Sequence, residues 1–436
     1  MSAPFSQNRT TQLTNEEFII KNREQDIRSL ALRKVPEGVD ALWCMRQIEG
    51  YQLAKKKLPM WAATEGLHYP PRISMEQCSS ESTALYKQQI VARLSNNASF
   101  ILTDLTGGFG VDFSYMAKAA KEAYYVEQQE VLCNASRHNM PMLGLPDANV
   151  VNKNSIDYIK TLKSKADLSQ TVCSKEAERL SFIFLDPARR DDVGRKTVAI
   201  EDCTPNVIEL QDQLLTIADY VIVKLSPMLD ITQALRSLRN VTEVHVVSVK
   251  GECKELLFVI SNKPTPQATT LQAPNTQSPI NHCVNLDTCE KPFVSLKQNE
   301  AISCEMPSQG KWLFEPNASI LKAGVQDSFA QHYNLRKLHP QSNLFIGDNP
   351  VENIPARSFR IELVSDFSKQ SLKALQSNIK KANLTIRNFP STVAELRKRL
   401  KLKEGGDIYL FATTILDNTH KLLVCKKEYV DIVRVI

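Results

Sequence analysis

The chain has no run approaching the ~18 apolar residues that a membrane-spanning helix needs, so no helical membrane span is expected. Its opening residues, MSAPFSQNRTTQLTNEE, lack the basic-then-apolar layout of a secretion signal, and a cytoplasmic location is the expectation. The ten cysteines (Cys44, Cys78, Cys133, Cys173, Cys203, Cys253, Cys283, Cys289, Cys304 and Cys425) never fall in a C-x-x-C pair. That spacing argues against a zinc cluster and against a disulfide framework, and predicts reduced, mostly buried thiols with no metal. No internal repeat is present, and the sequence leaves the oligomeric state open.

What is present is length and an uneven charge. The 436 residues exceed one compact core, and roughly two to four domains follow from domain sizes of ~100–200 residues. The net charge is +6, yet residues 357–436 hold 16 Lys/Arg against 8 Asp/Glu, leaving everything before them slightly acidic. A basic appendage on a near-neutral body fits a nucleic-acid-binding module; it equally fits a solvated surface.

Four regions can be drawn. Residues 1–75 read as a helical cap, with a capping box at Thr14–Glu17 opening a helix to about Arg33 and a second helix ending at Lys57. A third helix is expected over about Ser82–Leu94. Within 76–265, short apolar runs (FILTDL, AYYVEQ, ANVVN, SFIFLD, DYVIVKL, TEVHVVSV, ELLFVIS) alternate with helical stretches, which predicts an α/β fold with a parallel sheet. The last two runs are joined only by KGECK, too short for a crossover, so the final strand should return as an antiparallel hairpin. Residues 266–355 begin with a Pro/Thr/Gln/Asn-rich linker, followed by FVSL, KWLFE, NLFIG and one helical stretch, SILKAGVQDSFAQHY. Residues 356–436 form a basic α+β segment ending in a strand pair around LDNTH.

The chemistry-bearing residues fall at the ends of the apolar runs. Asp104-Leu105-Thr106-Gly107-Gly108-Phe109-Gly110 follows the first strand and precedes a helix, where glycines let backbone approach a nucleotide and a helix N-terminus offers unpaired N–H groups. Glu127 ends the second strand, 23 residues on, where nucleotide-binding α/β folds place the acid that accepts both ribose hydroxyls. Asn154 follows the third strand and is either an adenine reader or a helix cap. Asp186-Pro187 ends the fourth strand and Lys224 the fifth, so all five loops should share one rim beside the point where strand order reverses.

DLTGGFG, YYVEQ, FLDPARR and VKLSPMLD together resemble class I S-adenosylmethionine-dependent methyltransferases, in particular a bacterial group carrying a C-terminal THUMP-like domain. RNFPSTVAELRKRLKLKEGGDIYLFATT is similar to that appended domain, and the segment before it to an accompanying ferredoxin-like domain. The resemblance implies a Rossmann-like sheet and an enzyme with S-adenosylmethionine as cofactor; the basic terminal segment, its resemblance to an RNA-binding type of domain and the Asp-Pro loop together favour RNA as substrate, at a base nitrogen. It implies cofactor contacts from Asp104, Thr106, Gly107, Gly108, Gly110, Glu127, Asn154 and Asp186, and from Gln77 in the upstream EQCSSE motif. Asp186, Pro187 and Arg189 are the expected catalytic residues. Ala188 and Arg189 replace the second proline and the aromatic platform of amino-methylating relatives, so Arg189 and Arg190 are either base- or phosphate-binding groups or surface charges, with Lys224 beside them. A small-molecule or protein methyltransferase whose C-terminal domains serve assembly or gating is the competing reading, and a non-catalytic binding protein that retained the fold is a third.

Overall fold

The structure, a computed structural model, describes residues 14–96, 98–171, 180–189, 200–263, 278–296 and 301–427. It divides into two compact units, the first formed by Met1–Lys224, Ser237–Asn240 and Ile260–Pro266, the second by the remainder.

The first unit opens with helices α1 (Asn15–Asn22), α2 (Ile27–Ala31), α3 (Ala41–Lys57), α4 (Pro59–Ala63), α5 (Arg72–Gln77) and α6 (Glu81–Ser95). The Thr14–Glu17 capping box forms as expected. The single helix expected as far as Arg33 is instead two, for a local reason. The backbone N–H of Gln25 donates to the Asn22 carbonyl, turning the chain, and Asp26 then recaps it by accepting from the N–H of Ser29 at 2.9 Å. Pro59 likewise separates α3 from α4, occupying the first turn where its missing N–H costs nothing.

Strands β1 (Phe100–Asp104), β2 (Ala120–Glu127), β3 (Asn149–Asn152), β4 (Leu180–Leu185), β5 (Ala188–Arg189), β6 (Cys203–Thr204) and β7 (Ala218–Leu225) follow, with α7 (Val111–Met116), α8 (Glu130–Met142), α9 (Ser155–Thr171) and α10 (Val207–Ile217) between them. The five long strands run in the order β7-β4-β1-β2-β3. Leu102 of β1 lies opposite Ala123 of β2 on one side and Phe182 of β4 on the other, both in parallel register. β1 is buried along its whole length, as a parallel strand covered on both faces must be. Because the chain adds β2 and β3 on one flank of β1 and β4 and β7 on the other, the connections leave in opposite directions at the carboxyl ends of β1 and β4 and open a crevice there.

In the second unit, β8 (Val241–Val249) and β9 (Glu252–Ile260) are joined by Lys250-Gly251, whose φ angles of 51° and 85° suit a tight hairpin turn. β10 (Ile280–Leu286) lies parallel on β8, and β11 (Phe293–Leu296) antiparallel on β10. The FVSL strand, grouped by sequence with the ferredoxin-like segment, thus extends the hairpin's sheet; Phe293 is buried against the edges of Phe329 and His332. The stretch SILKAGVQDSFAQHY, read as one helix, is two, Ala318–Ala323 and Gln326–His332, because Gly324 ends the first in a left-handed cap at φ 70°.

A second sheet contains β12 (Trp312–Pro316), β13 (Arg336–Lys337), β14 (Phe345–Gly347), β15 (Ala356–Asp366), β16 (Asn383–Arg387), β17 (Ile408–Thr414) and β18 (His420–Lys426), in the order β13-β14-β12-β15-β18-β17-β16. Leu313, Leu338 and Ile346 share one core with Phe359, Phe411 and Leu423, so the residues before and after Pro355 fold on the same sheet. Among the described residues no helix is long and apolar enough to cross a membrane.

Candidate active site

The glycine loop is held from three sides. The backbone N–H of Leu105 donates to the Phe184 carbonyl at 3.0 Å, that of Gly107 to Val126 at 2.9 Å, and that of Gly108 to Glu127 Oε2 at 2.9 Å. The Tyr125 hydroxyl donates to the Gly108 carbonyl. A Cβ on Gly107 would sit 2.2 Å from the Tyr125 ring, so only glycine fits beneath that buried tyrosine. Gly110 turns at φ 85° into α7.

Phe109, at the loop's tip, packs edge-on against Trp61 with ring centroids 4.7 Å apart, and tilted against Tyr69 at 6.4 Å. Those residues belong to the helical cap, and Gln47 fixes Tyr69 by bonding both its N–H (2.7 Å) and its carbonyl (3.1 Å). Asn139 of α8 does the same for His68, at 2.8 Å each. The cap is therefore a wall of the glycine loop.

Glu127 is buried and accepts from Gly108 N–H through Oε2 and from Gln129 N–H through Oε1, at 2.8 Å for the latter. Asn154 is engaged as a cap: its Oδ1 accepts from the N–H of Ile156 at 2.9 Å and its amide donates to Gln128 at 3.3 Å. Asp104 is buried, and its Oδ1 accepts from the N–H of Thr106 at 2.9 Å. Burial pushes its pKa up to about 8, with the negative charges of Asp112, Asp186 and Glu127 adding to the rise and the Thr106 bond opposing it. The Thr106 hydroxyl oxygen in turn accepts from the backbone N–H of Asp186 at 2.6 Å, tying the first loop to the fourth.

Asp186 stands at that junction with its side chain 41% exposed, followed by the buried Pro187. Ala188–Arg189 pairs antiparallel with Cys203–Thr204, so the DPAR backbone is pinned as a short ladder. The Arg189 side chain and all of Arg190 lie outside the described residues. Lys224 does reach Asp186, its ammonium 2.7 Å from Oδ2.

Sequence reasoning missed what stands behind that pair. The Lys224 ammonium also donates to Ser79 Oγ at 3.0 Å and lies 3.4 Å from Asp112 Oδ2, while Asp112 Oδ1 is 3.0 Å from the ammonium of Lys87, a fully buried lysine. Ser79 Oγ donates to Asp112 at 2.7 Å. Burial alone would raise the Asp112 pKa; Lys87 and Lys224 outweigh it and hold the group at about 2. A signal for Lys87 existed: it lies on the buried stripe Ala84, Lys87, Ile90, Val91 and Leu94 of α6, where a cation requires a partner. Gln77 is exposed at the end of α5, two residues before Ser79.

A different set of ligand-type side chains occurs in the second unit. Glu243 and His245 on β8 and His282 on β10 are buried, with ligand atoms within 4.8 Å of one another. The two imidazoles stack at 4.2 Å and 14°, and the Nε2 of each faces Glu243 Oε2, at 2.9 Å from His245 and 3.7 Å from His282.

Two proteins from Mycobacterium tuberculosis strains, described as uncharacterised S-adenosylmethionine-dependent methyltransferases, are each 23% identical over 321 residues, 73% of this chain and 78% of theirs. A crystal structure from Porphyromonas gingivalis W83, of a protein assigned as a methyltransferase, is 32% identical, covers 95% of this chain and 98% of its own, and superposes with a TM-score of 0.79. The chain belongs to the S-adenosylmethionine-dependent methyltransferases. Within this methyltransferase, a ferredoxin-like domain family matches residues 312–355 and a THUMP domain-like family residues 356–427.

Proposed function

We propose that this methyltransferase acts on RNA, at a base nitrogen, by direct in-line transfer. The cofactor's fit rests on the loop itself: a side chain at Gly107 or Gly110 would collide with Tyr125 or Met140, so glycine there keeps the loop close on the carboxyl ends of β1 and β2, Gly108 borders open space, and Glu127 stands beside it. Each Glu127 oxygen accepts one backbone N–H and keeps a lone pair for one hydroxyl of a ribose diol. Bound there, S-adenosylmethionine supplies a sulfonium methyl; the acceptor's lone pair takes the methyl carbon, the C–S electrons stay on sulfur, and the acceptor nitrogen sheds a proton. Asp186 orients the acceptor by accepting its N–H. Its Oδ2 is held by the Lys224 ammonium, and the proton shed by the acceptor passes to solvent.

The observation that carries the RNA reading is a lysine cluster that tertiary structure assembles in the THUMP-like segment. Lys381 and Lys403 are bridge partners, and the backbone N–H of Lys403 donates to the Lys380 carbonyl at 2.9 Å. Lys380, Lys381 and Lys403, all exposed, thus bring three cations together from two segments, suited to a phosphate backbone. The name of the matched family, THUMP domain-like, points the same way.

The test is transfer of tritiated methyl into fractionated RNA, protein and small-molecule pools, with the modified atom identified by mass spectrometry. Label on an RNA base nitrogen is expected. Label confined to protein or small molecules would replace this reading by the alternative, in which the C-terminal modules serve assembly or gating; the missing aromatic platform at Ala188-Arg189 is the feature that favours it.

A further inference from the structure

We propose that Lys87 and Asp112 are positioning residues for methyl transfer: a buried ion pair that delivers the Lys224 ammonium to Asp186 and keeps it there. The inference rests on the reading of Asp186 as the group that orients the acceptor.

Four charges alternate in a line from the interior to the crevice. Lys87 is 3.0 Å from Asp112 Oδ1, Asp112 Oδ2 is 3.4 Å from Lys224, and Lys224 is 2.7 Å from Asp186 Oδ2. The set sums to zero, and exposure rises along it, from 0% for the Lys87 side chain to 10%, 13% and 41% for the next three. Ser79 knits the middle, donating to Asp112 and accepting from both lysines, at 3.3 Å from Lys87 and 3.0 Å from Lys224. A buried lysine requires a partner. This one is paired with an aspartate whose other contacts are the Ser79 hydroxyl and Lys224.

The consequence is a division of Lys224 between two carboxylates. Lys87 neutralises Asp112, so Asp112 holds Lys224 weakly, at 3.4 Å, and Asp186 holds it closely, at 2.7 Å. Without Lys87, Asp112 becomes a buried anion whose nearest cation is Lys224, and it draws that ammonium inward. Asp186 then loses the contact that fixes Oδ2 and with it the direction in which Oδ1 meets the acceptor. Removing Asp112 as well restores the balance, since no buried anion then draws Lys224 away from Asp186. Charge, not bulk, is the operative property.

The prediction is a rescue. Lys87→Met should lower kcat by about tenfold or more, with S-adenosylmethionine affinity by calorimetry changed by less than about threefold, because positioning is lost while the cofactor contacts remain. Lys87→Met combined with Asp112→Asn should recover most of that loss, although it deletes a second hydrogen-bonding charge. Thermal melting of each purified full-length variant confirms folding. The assay uses tritiated S-adenosylmethionine and whichever of the RNA, protein and small-molecule pools the wild type labels, so a pool other than RNA overturns the substrate reading and leaves this one standing. Two results would overturn the present proposal: a folded Lys87→Met with wild-type kcat, or a folded double variant with intact cofactor affinity that is no more active than Lys87→Met. Should Lys87→Met fail to fold, the comparison is made between Asp112→Asn and the double variant, where a buried Lys87 deprived of the Asp112 charge is expected to make the single the slower of the two.

Discussion

At the residue scale, the acid that ends β1 is the most perturbed group in the crevice. Asp104, with a pKa of about 8, carries its proton at neutral pH in the free protein. An unfolded Asp titrates near 4, so the folded state binds the extra proton between about pH 4 and pH 8. The stability this group contributes is therefore complete below about pH 4 and lost as the pH rises to about 8. Urea unfolding across that window should show the decline, and Asp104→Asn should flatten it. A cationic cofactor favours the anion, so binding at pH 7 should release a proton. Calorimetry in phosphate and in Tris would then give different apparent enthalpies; equal values would refute the linkage. Gly107 makes a second residue-scale prediction. Gly107→Ala drives a Cβ into the Tyr125 ring, and cofactor affinity should fall by about tenfold or more together with the melting temperature. Sequence marks Asp104 and Gly107 as candidate cofactor residues through their place after a strand. It could not expose the protonation of Asp104, which depends on burial and on three acids from other segments.

At the element scale, the helical cap and the glycine loop depend on each other. Trp61 of α4 is buried against Phe109, and Tyr115 of α7 belongs to the same cluster. Trp61→Ala should cost about 3–5 kcal/mol in urea unfolding and also weaken cofactor binding, because Phe109 loses the ring that fixes the loop. Unchanged affinity in a folded variant would show the cap to be structurally independent of the loop. Element types were legible along most of the chain: strand runs, the Lys250-Gly251 hairpin and the turn at Asn418 all follow from local chemistry. Breaks were harder. Asp26 recaps a chain whose apolar spacing continues through it, and Gly324 stops a helix whose pattern runs on. Both are decided by one backbone bond or one φ angle, which periodicity does not register.

At the scale of the whole molecule, the THUMP-like and ferredoxin-like segments cannot be separated cleanly. β15 pairs with β12 from Trp312–Pro316, and a truncation at residue 356 would open the core containing Leu313, Phe359 and Phe411. RNA binding is better tested on the surface. Changing Lys380, Lys381 and Lys403 to Glu should leave the melting temperature intact, weaken RNA binding, and reduce the slope of log affinity against log salt by about 2–3. An unaltered slope would remove these lysines from the interface. The sequence by itself determined the α/β class, the order of strands and helices, and the rim residues Asp104, Glu127, Asp186 and Lys224, because each is signalled within a few residues of a strand's end. Only the tertiary structure decided that Lys87, Ser79 and Asp112 stand behind Lys224 and that Lys381 meets Lys403. Those contacts join residues distant in the chain, and their energetics depend on burial and charge pairing that local sequence does not encode.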